Sequence, residues 1–434
     1  MNLPNIIKSQ QLYSLAEQII PAGTQTLAKG VGQHSRNVSP IYIEKGKGSH
    51  VWDIDGNEYL DMSMAVGPVS LGYCYDAVDN AIKEQLEKGI TFSLMHPLEY
   101  EVAELISAIV PNAEMVRFSK TGADVTSAAI RLARAYTGRD DVLCCGYHGW
   151  HDWYISVTDR NAGIPQDTQN HTYTFDYNNI QSLLQSINDK TAAVILEPMT
   201  FAAPQSNFLQ EVREACNKHG AVLIFDEMWT GWRLALGGAQ EYFGVNADMV
   251  CFSKAIANGM PLSVLCGIKP IMKLLEKDVF FFTTFGGETL SLAAAKATIK
   301  EMQLRNVPEY LQKQGNTLYN EVHSIIKKNS IDWLDCIGNP VRTMLTYNHP
   351  EFSALELKTL IHQELLRYGI LWNGFHTMSF SHNDSDIERV IQAYSEILPS
   401  VQNAVCNKSV GSLIKGELMK PVFRKTTHFN TKPV

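Results

Sequence analysis

Apolar and polar positions fall into two textures along this chain. Over residues 9–20, Leu12, Leu15, Ala16, Ile19 and Ile20 recur at helical spacing, and Pro21-Ala22-Gly23 ends the run. Residues 41–61 (IYIEKGKGSHVWDIDGNEYLD) predict short antiparallel strands, with turns at Lys45-Gly46-Lys47-Gly48 and Asp55-Gly56-Asn57. Residues 77–88 and 98–109 predict helices. From about residue 115 the texture changes. Met115-Val116-Arg117-Phe118 predicts a strand, residues 119–123 a loop and residues 124–136 a helix. Near-continuous apolar runs then recur at 141–145, 191–196, 221–225, 249–252 and 263–268, with helical patterns such as 178–187 and 208–219 between several of them. Strands that are apolar on both faces and alternate with helices predict a mostly parallel sheet covered on both sides. A helix over 290–302 leads out of this region. The remainder predicts an α+β unit, with helices at 308–327, 354–368 and 384–397 and short strands at 342–347 and 370–372. The tail after residue 408 is basic and weakly patterned, which predicts an extended arm.

Two of the apolar runs end on charge. Ala221-Val222-Leu223-Ile224-Phe225-Asp226-Glu227 delivers carboxylates, and Met249-Val250-Cys251-Phe252-Ser253-Lys254 delivers a lysine. Both lie at the carboxyl ends of strands, the edge where open α/β sheets bind ligands. Taken singly, an acid or a lysine at a strand end is ordinary surface. Together they fit pyridoxal phosphate, which needs a lysine for its Schiff base and a carboxylate to keep its pyridine nitrogen protonated. Lys254 precedes Ala255-Ile256-Ala257-Asn258-Gly259-Met260-Pro261, a small-residue loop that lets a planar ligand approach.

Two further transitions follow strands. Phe118-Ser119-Lys120-Thr121-Gly122-Ala123-Asp124 offers a helix N-terminus to a phosphate, with Gly122 allowing close backbone approach and Thr121 adding a hydroxyl. The ordinary alternative is a plain helix cap by Thr121 or Asp124. Gly146-Tyr147-His148-Gly149-Trp150-His151-Asp152 offers an aromatic ring to stack on a cofactor. His148 and His151 invite a metal, but no carboxylate or cysteine completes a recognisable ligand set, so no metal is expected.

Composition narrows the class. The 434 residues carry a formal net charge of -8, with 45% hydrophobic and 19% charged residues, ordinary values for a globular chain of two or three domains. The mild acidity gives no basic face for nucleic acid. No apolar run approaches the roughly 20 residues of a membrane span. The N-terminus lacks a basic stretch before an apolar core, so no signal peptide is expected. The eight cysteines are scattered with no CxxC spacing, which predicts reduced thiols and a cytoplasmic location.

These motifs carry a resemblance. Thr121-Gly122-Ala123-Asp124 with the following SAAIRLARAYTGR, YHGWHD, Glu197-Pro198, FDEMWTGWR, SKAIANGMP and TTFGGE occur in an order and spacing that resembles the class III, fold type I pyridoxal-phosphate aminotransferases, within them the glutamate-1-semialdehyde 2,1-aminomutase-like group. The match runs from Pro21-Ala22-Gly23 to about residue 395. It implies a large domain over 61–305 with a mostly parallel seven-stranded sheet flanked by helices. It also implies a small α+β domain built from 1–60 and 306–408, and a tail over 409–434. By position it implies that Lys254 is the Schiff-base lysine and proton shuttle, and that Asp226 pairs with the pyridinium nitrogen. Tyr147 would stack on one ring face and Met228 would stand against the other, where the family usually has a small branched residue. Gly122, Ala123 and Thr121 would hold the phosphate, with His148 and Glu197 near the ring. Thr284 would reach the phosphate of the neighbouring subunit's cofactor in a homodimer.

The substrate-facing positions depart from the aminomutase pattern. Where that group has a carboxylate-binding arginine after its N-terminal PGG, this chain has Lys29, and a lysine is not a bidentate substitute. Val66 stands where a tryptophan is expected before Gly67-Pro68, and His376 where a gating glutamate is expected. The reading is therefore an aminotransferase that moves an amino group from a donor such as glutamate to a small polar aldehyde or ketone, an oxo-sugar or a surface-glycan or secondary-metabolite precursor among them. The alternatives are the aminomutase itself, a decarboxylase or racemase on the same fold, and a non-catalytic cofactor-binding protein. Lys29, Val66, Lys120, His148, Trp150 and His376 are the residues expected to shape the substrate pocket, with Trp232 and Arg233 beside them.

Overall fold

The structure is a computed structural model, and it describes residues 2–205 and 207–421. The described residues divide into two compact units: a central one, Asp76–Pro308, and a terminal one made of the residues up to Tyr75 together with those from 309 to 421.

In the central unit, seven strands among the described residues form one sheet. Across the sheet they run Met115–Ser119, Ser263–Gly267, Met249–Phe252, Val222–Asp226, Thr191–Leu196, Asp141–Cys145 and Thr172–Thr174. Only Ser263–Gly267 is antiparallel to its neighbours; the other neighbouring pairs are parallel. The strands at 191–196, 222–226 and 249–252 are buried at every position. That is why they read as unbroken apolar runs rather than alternating ones. Helix Gly122–Thr137 packs on one face through Val125, Ala128, Ala129, Leu132 and Ala133, in one core with Ile195, Ile224, Cys251 and Leu265. Thr172–Thr174 was not foreseen: Thr-Tyr-Thr is polar, three residues long and paired only at the sheet edge.

In the terminal unit, Ile43–Lys47, His50–Asp53 and Glu58–Asp61 form the expected antiparallel ribbon, which Ile370–Leu371 extends in parallel. A second sheet joins Leu334–Asn339, Arg342–Tyr347 and Phe375–Thr377. Helices Val307–Lys328, Ala354–Arg367 and Asp384–Cys406 are longer than or close to their predicted spans, the last continuing through Pro399. The tail after residue 408 is not a free arm where it is described. It makes a helical turn at Val410–Leu413, buries Met419, and receives the Ser35 hydroxyl at the Glu417 carbonyl (2.8 Å). Residues 422–434 of that tail lie outside the described residues. No helix among the described residues is long and apolar enough to cross a membrane.

Candidate active site

Parallel pairing brings five strand ends to one edge of the central sheet. Ser119, Phe252, Asp226, Leu196 and Cys145 end their strands there, because Ser119 is opposite the first residue of the antiparallel strand and Phe252 opposite its second. The loops that follow carry Thr121, Lys254, Glu227, Glu197 and Tyr147. Asp226 lies beside Cys251 in register, so Lys254 leaves the adjacent strand three residues further on.

Asp226 is buried and held on both oxygens. Its Oδ2 meets Nδ1 of His148 at 2.8 Å, and its Oδ1 accepts the Met228 N–H at 3.1 Å. Nε2 of His148 faces the Cys145 carbonyl at 3.2 Å, and the ring stacks on Trp153 (6.0 Å, 16°). This clamp fixes the carboxylate's direction while each oxygen keeps a free lone pair. Glu227, the next residue, has a different job. It is fully buried, accepts the Ala239 N–H and the Thr230 hydroxyl, and burial pushes its carboxyl up to about 7. Two adjacent acids thus serve different surroundings, as the two-residue period of a strand requires.

Thr121 caps helix Gly122–Thr137. Its hydroxyl accepts the Asp124 N–H and its own N–H reaches the Asp124 carboxylate (2.9 Å), so both ordinary capping roles are present. The hydrogen bonds from Ser119 and Thr121 hold the Asp124 carboxyl low despite its burial. The next N–H groups, of Gly122 and Ala123, begin the helix without an intrahelical acceptor.

The Tyr147 loop is fastened across that same helix start. The Thr126 hydroxyl donates to the His148 carbonyl (2.8 Å), and the Ser127 hydroxyl meets Nδ1 of His151 (2.7 Å). Gly149, at φ +105°, lies so close that a Cβ would sit 2.7 Å from the Cβ of Ala123. On the other side the Tyr147 N–H donates to Glu197 Oε1 (2.9 Å). The Tyr147 ring is partly exposed and meets Tyr154 edge-on at 5.5 Å. Trp150, largely exposed, packs edge-on against His151.

Lys254 has φ +47°, a left-handed backbone that costs a non-glycine residue about 1–3 kcal/mol and that gathers at functional sites. The bond from the Ser253 hydroxyl to the Leu262 carbonyl (2.6 Å) closes the loop around it. Lys120 does not stand free at the site: its Nζ pairs with Glu288 at 2.9 Å, and Glu288 in turn caps helix Thr289–Leu304. Thr284 is exposed between exposed Phe282 and Phe285. Trp232 and Arg233 are buried, with Arg233 Nε donating to the Trp229 carbonyl (2.9 Å) and its guanidinium 4.8 Å from the Trp229 ring.

The remaining predicted positions belong to the terminal unit. Lys29 is exposed at the end of a single helical turn. Val66 ends a run, Met64-Ala65-Val66, in which all three residues have positive φ, a strained conformation for any side chain. His376 is fully buried, between the Thr343 hydroxyl (2.8 Å) and the Tyr394 hydroxyl (2.7 Å), and burial pushes its imidazole down to about 3. That direction favours the uncharged ring.

Chemically the central edge suits pyridoxal phosphate. A fixed buried carboxylate fits a protonated pyridine nitrogen, and helix-start N–H groups beside a hydroxyl fit a phosphate. A Cβ on Gly122 would lie 2.7 Å from the Met228 sulfur, so glycine at the helix start leaves room for Met228 in the conformation it adopts here. Sequence reading had no signal for the His148–Asp226 contact, which joins residues 78 apart.

Comparison with known proteins agrees. Residues 31–379 match the aminotransferase class-III family. The chain is 32% identical to 3-aminobutyryl-CoA aminotransferase of Cloacimonas acidaminovorans over 92% of its length and 98% of that protein. It is 33% identical to the glutamate-1-semialdehyde 2,1-aminomutase of Archaeoglobus fulgidus over 90% and 99%. Its fold superposes on the PLP internal aldimine form of the Sphingopyxis sp. MTA144 FumI protein with a TM-score of 0.86 at 26% identity, covering 92% of this chain and 98% of that one. A fold type I sheet, a matching motif series and full-length relatives place this chain in the class III aminotransferases, a family of pyridoxal-phosphate-dependent enzymes.

Proposed function

We propose that the protein transfers an amino group between molecules, from an amino-acid donor such as glutamate to a small polar aldehyde or ketone. The observation that carries this over the intramolecular aminomutase is His376. A buried, neutral imidazole tied to Thr343 and Tyr394 cannot act as the gating carboxylate that the aminomutase pattern calls for. Lys29, exposed and monodentate, adds to it. The relatives named as aminomutases keep the second reading in play, and one assay separates the two. The purified protein is expected not to convert glutamate-1-semialdehyde to 5-aminolevulinate without an added donor or acceptor; conversion under those conditions would overturn the reading.

When bound, pyridoxal phosphate supplies the electron sink that spreads charge developing on the substrate carbon. The chain supplies the rest. Asp226, aimed by His148 and Met228, holds a proton on the pyridine nitrogen. Nζ of Lys254 would anchor the cofactor and, once released by the donor, would serve as the base and acid that moves the donor's Cα proton. The Gly122 and Ala123 N–H groups with the Thr121 hydroxyl bind the phosphate. Tyr147 and Met228 cover the two ring faces, and Glu197 holds Tyr147 in place.

Because Gly149 lets the Tyr147 loop touch Ala123, Gly149→Ala is expected to prise loop and phosphate helix apart. Overpacking of about 1–3 kcal/mol predicts a loss of about tenfold or more in cofactor affinity, read by titrating cofactor into stripped protein. Unchanged affinity would show that the loop contact does not shape the site.

The homodimer is part of the same proposal. Leu94, Met95, Phe280, Phe282 and Phe285 are large apolar side chains more than half exposed on the central unit, and Thr284 lies among the last of them. Exposed aromatic clusters of this kind mark association surfaces. The cytoplasm suits eight free cysteines, six of them buried.

A further inference from the structure

In the central unit, the turn that starts helix Gly122–Thr137 is fastened from two directions. From within, the Asp124 carboxylate gathers it, accepting the Ser119 hydroxyl at 2.8 Å and the Thr121 N–H at 2.9 Å. Those bonds shape the turn but move with the helix. From without, Ser119 is held in the sheet opposite Ser263. Lys120, between the strand end and the cap, carries a second outside tie: its Nζ donates to Glu288 Oε2 at 2.9 Å. Glu288 is a fixed point. Its carboxylate accepts the Leu290 N–H (2.6 Å), the Ser291 hydroxyl (2.6 Å) and the Ser291 N–H (3.3 Å) at the start of helix Thr289–Leu304. The Thr289 N–H and hydroxyl then fasten that helix start to the Ile90 carbonyl, at 3.0 and 2.9 Å. Burial alone would raise the Glu288 carboxyl, but the hydrogen bonds from Lys120 and Ser291 hold it below the usual carboxylate range, which keeps it charged. The backbone ahead of it follows the same line. A Cβ on Gly286 would lie 2.9 Å from the Phe118 carbonyl, so this stretch runs against the end of the strand that leads into the turn.

A fully exposed ion pair would hold such a turn weakly. This one is largely buried, with the Lys120 and Glu288 side chains 21% and 12% exposed, and charge-assisted hydrogen bonds between sheltered partners are the strong ones. A binding constellation keeps its geometry only when the residues behind it are locked, and N–H groups aimed at an anion lose strength as soon as their direction drifts. We propose that Lys120 and Glu288 form a positioning pair for the cofactor phosphate, tying the turn that carries Thr121, Gly122 and Ala123 to the fixed start of helix Thr289–Leu304. Neither side chain is assigned a contact with the cofactor; both act through the backbone of the turn. This role rests on the placing of the phosphate at that turn in the proposed function.

The test titrates full-length protein, stripped of cofactor, with two ligands: pyridoxal phosphate, and pyridoxal, which has the same ring and aldehyde without the phosphate. Lys120→Met and Glu288→Gln are each expected to lower affinity for pyridoxal phosphate about tenfold while affinity for pyridoxal holds. Glu288→Gln keeps a carbonyl oxygen for the Leu290 and Ser291 donors, so the helix cap survives the change. Lys120→Arg keeps the cation and is expected to stay within about threefold of the unsubstituted protein. The double variant Lys120→Met/Glu288→Gln is expected to lose no more than either single change, because the pair acts as one tie. Equal losses for both ligands would mean that the changes only loosen the fold, and no loss for either would mean that the turn needs no brace; each overturns the pair. A loss in Lys120→Met with none in Glu288→Gln would show Lys120 binding the phosphate itself, which also overturns it. The phosphate reading fails separately and without any variant: unsubstituted protein that binds the two ligands equally well would refute it, and the pair with it.

Discussion

Lys254→Ala protein is expected to lose at least about a thousandfold in turnover and to lose covalent attachment of the cofactor. Proton transfer by a positioned side chain contributes about a hundredfold to ten-thousandfold by itself, and Lys254 is assigned two such transfers as well as the anchor. No neighbouring residue can substitute: the loop after it is Ala255-Ile256-Ala257, and the nearest sequence-predicted amine, Lys120, is engaged by Glu288. The strained φ of +47° points the same way, since a backbone cost kept at one lysine needs a compensating use. Steady-state kinetics measure the first loss. Borohydride reduction followed by peptide mass mapping measures the second, with the cofactor mass expected on the peptide containing Lys254 in unsubstituted protein. Cofactor mass on any other lysine would refute the assignment.

Asp226→Asn is expected to lower the rate of the amino-donor half-reaction by about a hundredfold to ten-thousandfold while leaving cofactor binding largely intact. The amide keeps the shape but not the charge, so it cannot hold the pyridine nitrogen protonated, and the electron sink weakens. The phosphate site proposed at Thr121, Gly122 and Ala123 lies beyond another strand end, so it is expected to survive the change. A smaller cost falls on stability. His148 is buried with one nitrogen on Asp226, so an imperfect replacement costs about 1–3 kcal/mol of unfolding free energy. Stopped-flow spectroscopy of the donor reaction and a denaturant titration separate the two effects. A half-reaction rate within a few-fold of the parent would show that Asp226 does not face the pyridine nitrogen.

Much of this was legible because the chemistry sits at strand ends. Apolar runs buried on both faces are easily seen, and the residue that ends each is exposed to the ligand edge by geometry alone. What was hidden depends on contacts between distant segments. The His148–Asp226 clamp joins a loop to the end of a strand that is not adjacent to the one the loop follows. Arg233 reads as a residue that shapes the pocket, and its burial against Trp229 comes from a fold the sequence pattern does not display. Lys120 reads as a pocket lysine, and its ion pair with Glu288, 168 residues away, has no trace in the local pattern. His376 reads as a replacement at a gate, and the burial that pushes its imidazole down to about 3 is visible only in the fold.

The measurement that bears most directly on intermolecular amino transfer is the visible absorbance of the purified holoprotein through one full cycle. Adding an amino donor such as glutamate should bleach the band of the lysine-linked cofactor, and adding a carbonyl acceptor after removing the donor should restore it. Bleaching that no aldehyde or ketone reverses, or no bleaching with any amino donor, would contradict the account.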